Sequence, residues 1–551
     1  MPTQPQVPTP VILKREGRSR VKSGLLLSLA LGLLSLPIIG LGADVPSKPS
    51  DLPPVPVPKE NPITEAKRVL GKILFWDEQL SFDNTVACGS CHQARFGGAD
   101  GRHAQGPGHD GRMGDYDDVF ASAGVVHRNS KGVAVKDPAF GWGPQVGARA
   151  APSNFGGLWA DSLFWDGRAT SQFRDPVSGR VVIASGGALE SQAVAPIVNP
   201  VEMADDDRSW TGIERKLAQA TPLALAKHLP PDVAAAIAAR GSYPQLFSAA
   251  FGDPAITPVR IAFAIATYER TLVADQTPYD IWNETGRSAE SPIARDLSVF
   301  QHAQCDDCHT PPLFTNNMFR NIGLREAYED PGRGIVSGDD EDDGRMKVPS
   351  LREVALQKTF MHSGEFNTLD QIFEFYATPR ADRDKLPDGT DYRIVLDNRD
   401  ISMLEDLLTN QLVDPRVAQE RFPFDRPELR SEQVDPQAGP PSAPVDAHAA
   451  SSHWAVRIAW RPSAPSKADD YQVMRNGRVV AFVTRPQFLD RGAHGPVYHY
   501  RIYARNVATR ESAPVTLWVV TPWAWLWFGG PLLAFAAGAY VIARRKRELD
   551  A

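Results

Sequence analysis

Cys88-Gly89-Ser90-Cys91-His92 and Cys305-Asp306-Asp307-Cys308-His309 use all four cysteines of the chain. Two thiols at this spacing, followed at once by an imidazole, can do three kinds of chemistry. They can form a disulfide, share a zinc ion, or bond the vinyl groups of a haem whose iron the histidine then ligates. A disulfide scaffold has no need of a histidine at the same offset twice. The motifs predict two covalently bound haems c, with Cys88, Cys91, Cys305 and Cys308 as attachment points and His92 and His309 as proximal ligands. A shared zinc site is the alternative. A haem iron passes electrons if a strong ligand fills its sixth position, and binds peroxide or another small ligand if that position is open.

The elements that must position these motifs are spread over several predicted domains. At 551 residues the chain is too long for one domain. A net charge of −7 gives no support to a nucleic-acid partner. With 47 prolines and 43 glycines, long irregular loops are expected, above all in the Gly/Asp-rich stretch 93–160. Residues 1–43 read as a signal peptide or N-terminal anchor, because Gly24–Ala43 is apolar and follows a basic stretch. Residues 44–60 read as a Pro-rich tether. A first haem domain is expected over 61–285, with a helix starting at Thr64 and another over Ala255–Leu272. A second is expected over 286–436, with helices over Ser291–His302, Leu369–Tyr376 and Asp400–Gln411. A linker over 437–450 leads to an alternating β segment, 451–520, with an Asn476-Gly477 hairpin turn; it resembles a fibronectin type III domain. The stretch 521–543, edged by Trp523, Trp525 and Trp527, is long enough to span a bilayer, and the basic tail 544–551 would lie in the cytoplasm. The expected fold class is mostly α: two c-type cytochrome haem domains, then a small all-β sandwich and a transmembrane helix. The expected location is the periplasmic face of the cytoplasmic membrane, anchored by the C-terminal helix.

The surroundings of the two motifs resemble the bacterial di-haem cytochrome c peroxidase and MauG-type superfamily. The stretches that carry the resemblance are Leu70 to Phe75, Phe164-Trp165-Asp166-Gly167-Arg168-Ala169, Leu189 to Ala193 with Pro196, and Asn199-Pro200-Val201-Glu202-Met203. Further on they are Phe319 to Leu324, Lys347 to Arg352 and Met361-His362-Ser363-Gly364. The resemblance implies that His92 holds a peroxidatic haem, with Gln192, Pro196 and Glu202 in the distal pocket. Glu202 would move a proton between the peroxide oxygens, as heterolytic O–O cleavage requires. Trp165 would relay electrons between the haems. The family's other axial ligand to the His309 haem falls on Tyr376, as in MauG-type enzymes, where conventional peroxidases have methionine; Met346 and Met361 are rival ligands. A phenolate favours oxidised iron and a thioether reduced iron. Calcium between the haems stays open, because Ala150 stands where the family has an Asn side chain, and Gln357 and Thr359 occupy the later positions. His103 and His109, in the loop after the first motif, match no family ligand cleanly and read as surface or structural histidines.

Three functions follow as alternatives. The first is a MauG-like oxidase using hydrogen peroxide and a periplasmic protein substrate or donor. The second is a conventional peroxidase drawing electrons from a small redox protein. The third is a non-catalytic, membrane-tethered electron carrier.

Overall fold

The computed structural model describes residues 51–377, 394–433, 439–452, 455–462, 468–506 and 511–524. Its centre is the helix Glu65–Trp76, whose residues from Lys67 to Trp76 are all buried. Thr64 opens it: the hydroxyl oxygen accepts from the Lys67 amide at 3.3 Å, satisfying one of the four unpaired N–H groups of a helix start. It packs on the helix Pro258–Glu269, which Thr257 caps in the same way. The two backbones come so close that a Cβ on Gly71 would lie 1.9 Å from the Ala264 carbonyl oxygen, so only glycine fits there. Two of the cations buried on the first helix are ion-paired, Lys72 with Asp425 at 2.8 Å and Arg68 with Asp232 at 2.8 Å, and the third, Lys67, donates to the Asn61 side chain at 3.0 Å.

A second core gathers the helices Pro292–His302, Leu369–Ala377 and Asn398–Asp406, with Phe300, Phe314, Phe373, Leu404 and Leu407 inside. Ser291 caps the first of these helices and Asp397 the third. The expected helix over Asp400–Gln411 is α-helical to Asp406 and continues as a π-turn over Leu407–Gln411.

The expectation of a mostly α chain is overturned. Among the described residues thirteen α-helices stand beside seventeen strands, ten of which form two-stranded ladders. Four of these short strands lie in the stretch 93–160, read from sequence as loops. Where such a stretch is buried, its backbone N–H and C=O groups need partners, and short antiparallel ladders supply them.

Strands from Val445 to Val520 form two antiparallel sheets. One has the order Val445–Ser451, Val456–Arg461, Gln487–Asp490. The other runs Arg478–Val483, Asp470–Arg475, Val497–Arg505, Val515–Val520. They share a core of Val456, Ile458, Trp460, Val473, Tyr500 and Ile502. Asn476 (φ 49°) and Gly477 (φ 80°) make the expected hairpin turn. The first strand starts at Val445, inside the stretch read as a linker. This β unit sits against the first haem region through a buried polar knot. The Asp470 carboxylate accepts from Arg505 at 2.6 and 2.8 Å, from Arg430 at 3.0 Å and from Asn84 at 2.8 Å. Phe82 and Phe482 meet edge to face beside it, with ring centres 5.4 Å apart.

The expected membrane anchor is also corrected. No helix among the described residues is long and apolar enough to cross a membrane. A span needs about 20 residues, and the longest described α-helices have 12. The stretches behind the expectation, 24–43 and most of 521–543, lie outside the described residues, as does the tail 544–551. The transmembrane helix, the membrane as a partner and the membrane-anchored location are withdrawn.

Candidate active site

The first motif forms one turn of helix, Cys88–Cys91, which ends at His92. The helix lies flat against Trp76: a Cβ on Gly89 would fall 2.2 Å from the indole ring. The first spacer residue of this motif is therefore fixed by packing. His92 lines the adjoining cavity. Its Nδ1 lies 3.0 Å from the Gly98 carbonyl oxygen. A carbonyl only accepts, so Nδ1 carries the proton and Nε2 keeps its lone pair. Gly97 (φ 63°) and Gly98 (φ 76°) turn the chain back to present that carbonyl. Burial pushes the His92 pKa down, which favours the neutral, ligating form.

His309 is built alike. Its Nδ1 lies 3.0 Å from the Pro349 carbonyl oxygen and 3.2 Å from that of Phe314, and burial pushes its pKa down to about 4. Each histidine thus offers Nε2 to a cavity lined by its own two cysteines. The residues fit two thioether-linked haems: a pair of sulfurs, an oriented neutral imidazole and a largely apolar cavity stand together at each motif.

The first cavity holds Gln192, Pro196 and Glu202 with His92. Gln192 comes from the helix Ala188–Val194, whose opposite face is pinned by Glu190. That buried carboxylate takes both Arg270 nitrogens, at 2.7 and 2.9 Å, and the Asn61 amide at 2.9 Å. Pro196 starts the following 3-10 turn. Glu202 sits in a tight turn in which the Asn199 amide donates to its Oε1 at 2.6 Å. Burial raises the Glu202 pKa, against the charge of Arg168 and the Asn199 hydrogen bond, which lower it.

Trp165 lines both cavities. Its indole N–H donates to the Ala150 carbonyl oxygen at 2.8 Å, and its own carbonyl accepts from the Lys347 amide at 2.7 Å. Arg149 steadies the next residue, bridging Asp166 and Asp330 at 2.6 Å each. The second cavity brings Tyr376 together with Cys305, Cys308 and His309, and Met346 and Met361 share its wall. Burial raises the Tyr376 pKa far above the usual phenol range, with smaller contributions from the two cysteines.

The histidines set aside as structural divide. His109 lines the first cavity and packs edge-on against Tyr328, whereas His103 packs on Phe120. Gln357 and Thr359, tied to the calcium question, line the second cavity. In the acidic loop 339–343, Asp342 is already paired with Arg333 and Arg345.

Sequence reasoning missed three residues. Glu269 lines the first cavity with its Oε2 unpartnered, and burial raises its pKa to about 8. Lys347 is carried beside Trp165, and burial lowers its pKa to about 8. His362 lines both cavities, with its ring centre 6.2 Å from that of Trp165. His362 and Lys347 each had a signal, their places in the stretches Met361-His362-Ser363-Gly364 and Lys347 to Arg352, but neither was given a role. A Glu at the end of an apolar helix and a Lys before Val-Pro look ordinary until the neighbours that desolvate them are known.

Comparison with known proteins finds similarity to di-haem peroxidases. The model of the di-haem cytochrome c peroxidase family matches residues 65–288. A methylamine utilization protein MauG of Methylophilus methylotrophus is 28% identical over 338 residues, covering 60% of this chain and 78% of its own. The cytochrome c peroxidase Ccp of Escherichia coli is 29% identical over 328 residues, covering 58% of this chain and 54% of its own. Among solved structures, a MauG-like protein associated with microbial copper homeostasis aligns over 68% of this chain and 97% of its own, at 23% identity and a TM-score of 0.47.

Proposed function

We propose, on the premise that this chain is a di-haem peroxidase carrying two covalently bound haems c, that it consumes hydrogen peroxide at the His92 site in MauG-like fashion. In this reading the oxidising equivalents are shared through Trp165 with the site of His309 and Tyr376. The observation that carries it is the shared wall: Trp165 borders both the cavity of His92, Gln192 and Glu202 and the cavity of His309 and Tyr376.

His92 and His309 would hold the two irons, and the four cysteines the porphyrins. The bound haem supplies an iron centre able to take up peroxide and store oxidising equivalents. The rest falls to side chains. Gln192 orients the peroxide by hydrogen bonding. The Glu202 carboxylate takes the proton from one peroxide oxygen and returns it to the other, which leaves as water. Asn199 fixes the carboxylate for both transfers. Pro196 supplies an apolar wall without an N–H. At the other site Tyr376, as a phenolate, would favour oxidised iron; the ferric charge offsets the burial that otherwise keeps the phenol protonated. Two electrons and two protons complete the conversion of peroxide to two waters, and they come from a periplasmic protein substrate or redox donor. The unit 445–520 is read as a fibronectin type III-like module that adds docking surface and no chemistry.

Conventional peroxidase action is the second reading, favoured by Met346 and Met361 on the wall that carries Tyr376. A thioether ligand would suit a site that takes single electrons from a small redox protein.

Rapid mixing of the fully oxidised, haem-loaded protein with peroxide, followed by absorption and electron paramagnetic resonance, separates the two. MauG-like action predicts reaction without prior reduction and a low-spin signal that changes in Tyr376→Phe. A requirement for one reducing electron, with a signal indifferent to Tyr376→Phe but sensitive to Met346→Leu or Met361→Leu, would establish the conventional reading.

A further inference from the structure

Between the β unit and the first haem region runs a cleft with no part in the peroxide chemistry. Its walls are the helix Trp210–Gln219 on one side and the strands Arg478–Val483 and Gln487–Asp490 on the other. Eight arginine and lysine side chains line it, against three aspartates, in a chain whose net charge is −7. The excess cannot be explained by ion pairing within the fold. Arg478 is matched by Asp207 at 2.8 Å and Arg475 by Asp490 at 2.9 Å. Arg215, Arg457, Arg485 and Arg491 are exposed and form no ion pair among the described residues. Deeper in, the Arg208 Nε is buried without a hydrogen-bond partner.

Like charges gathered on one concave surface repel one another, and low-dielectric walls strengthen their common field. A fold keeps no stability from such an arrangement; a ligand of opposite charge does gain from it. The cations come from a helix, two sheets and three loops, so they are strung along the cleft instead of converging on one point. Both bordering strands are the outer strands of their sheets. Phe482 and Phe488 line the cleft among the cations. A small anion would use one or two of these groups. An extended chain carrying several carboxylates would use the four unpaired arginines together, each offering the planar fork that matches a carboxylate.

We propose that this cleft docks an acidic, carboxylate-rich segment of a partner protein. The site does not depend on the assignment of the haem ligands, and it stands or falls separately from the peroxidase reading.

The test is fluorescence anisotropy of a labelled oligoglutamate peptide titrated with the full, haem-loaded chain. Saturable binding is expected, weakening as salt is added because exposed charges are screened. In R215Q/R457Q/R485Q/R491Q the affinity should fall by about tenfold or more, while the haem absorption spectrum and the peroxide rate with a small-molecule reductant stay unchanged. If the quadruple variant fails to load haem, R485Q/R491Q, both on exposed positions, replaces it and should weaken binding in the same direction. Absence of saturable binding by the wild type, or equal affinity of wild type and folded variant, overturns the proposal. So does inorganic tripolyphosphate binding in the cleft where the peptide does not, which would mark a phosphate site.

Discussion

Glu202 is the side chain on which the proposed chemistry turns. General acid–base groups contribute about 10²- to 10⁴-fold to rate, so Glu202→Gln should lower kcat/KM for peroxide by about that factor while both haem spectra persist. The pH profile has a definite sign. Burial raises the Glu202 pKa above its ordinary 4.5, and the carboxylate is the form that accepts the peroxide proton. Activity should therefore rise with pH through a limb lying above 4.5, and Glu202→Gln should abolish that limb. A limb at or below the ordinary carboxyl value would show that another group sets the rate. At the same scale, Glu269 was unrecognisable beforehand. Glutamate is usually a solvated residue, and what makes this one unusual is the desolvation around it, not its own neighbours in sequence.

At the scale of elements, short backbone contacts position the motifs. The turn Cys88–Cys91 rests on Trp76, which in turn donates to the Tyr268 hydroxyl at 3.2 Å. This chain ties the first motif to both central helices. Gly89→Ala should force the turn away from the indole, since its Cβ would fall 2.2 Å from the ring. Overpacking of this kind costs about 1–3 kcal/mol. Thermal unfolding of the loaded protein should show that loss, and a shifted band for the first haem alone should accompany it. At the matching position of the second motif the chain already carries Asp306, so Asp306→Ala adds no atom there and should have little effect. The helix starts at Thr64 and Ser291 were legible because capping is local chemistry, whereas the helix expected from Ala255 begins at Pro258, capped by Thr257. The short ladders within 93–160 were not, because a strand of three residues has too little periodicity to read.

For the molecule as a whole, the knot around Asp470 holds the β unit to the haem-bearing part. Removing one partner from a buried charge cluster costs about 3–5 kcal/mol, because the remaining charges stay buried and unpaired. Asp470→Ala should lower stability by about that much and expose the unit to limited proteolysis before the haem regions open. Arg505 and Arg430 hold the Asp470 carboxyl well below its ordinary 3.8 against the opposing effect of burial. A depressed folded-state pKa contributes stability that is present above the unfolded value and is lost as pH falls through the folded one. The docking should thus be insensitive to pH near neutrality and weaken only in strong acid, which a denaturation series at descending pH would read.

The sequence by itself determined the cofactor, its attachment points and the family of chemistry, because CxxCH and the stretches around it are local patterns whose spacing is their function. It also revealed the alternation that builds the β unit: Val456, Ile458 and Trp460 all point into its core. Three-dimensional structure alone decided which distant residues share a cavity wall. It set Trp165 between the two sites, brought Glu269 beside the first and Lys347 beside the second, and turned an expected linker into the edge of a unit fixed by Asp470. It also collected scattered arginines into one cleft. These are consequences of desolvation and of contacts between residues far apart in the chain, and neither quantity exists until the backbone has closed around them.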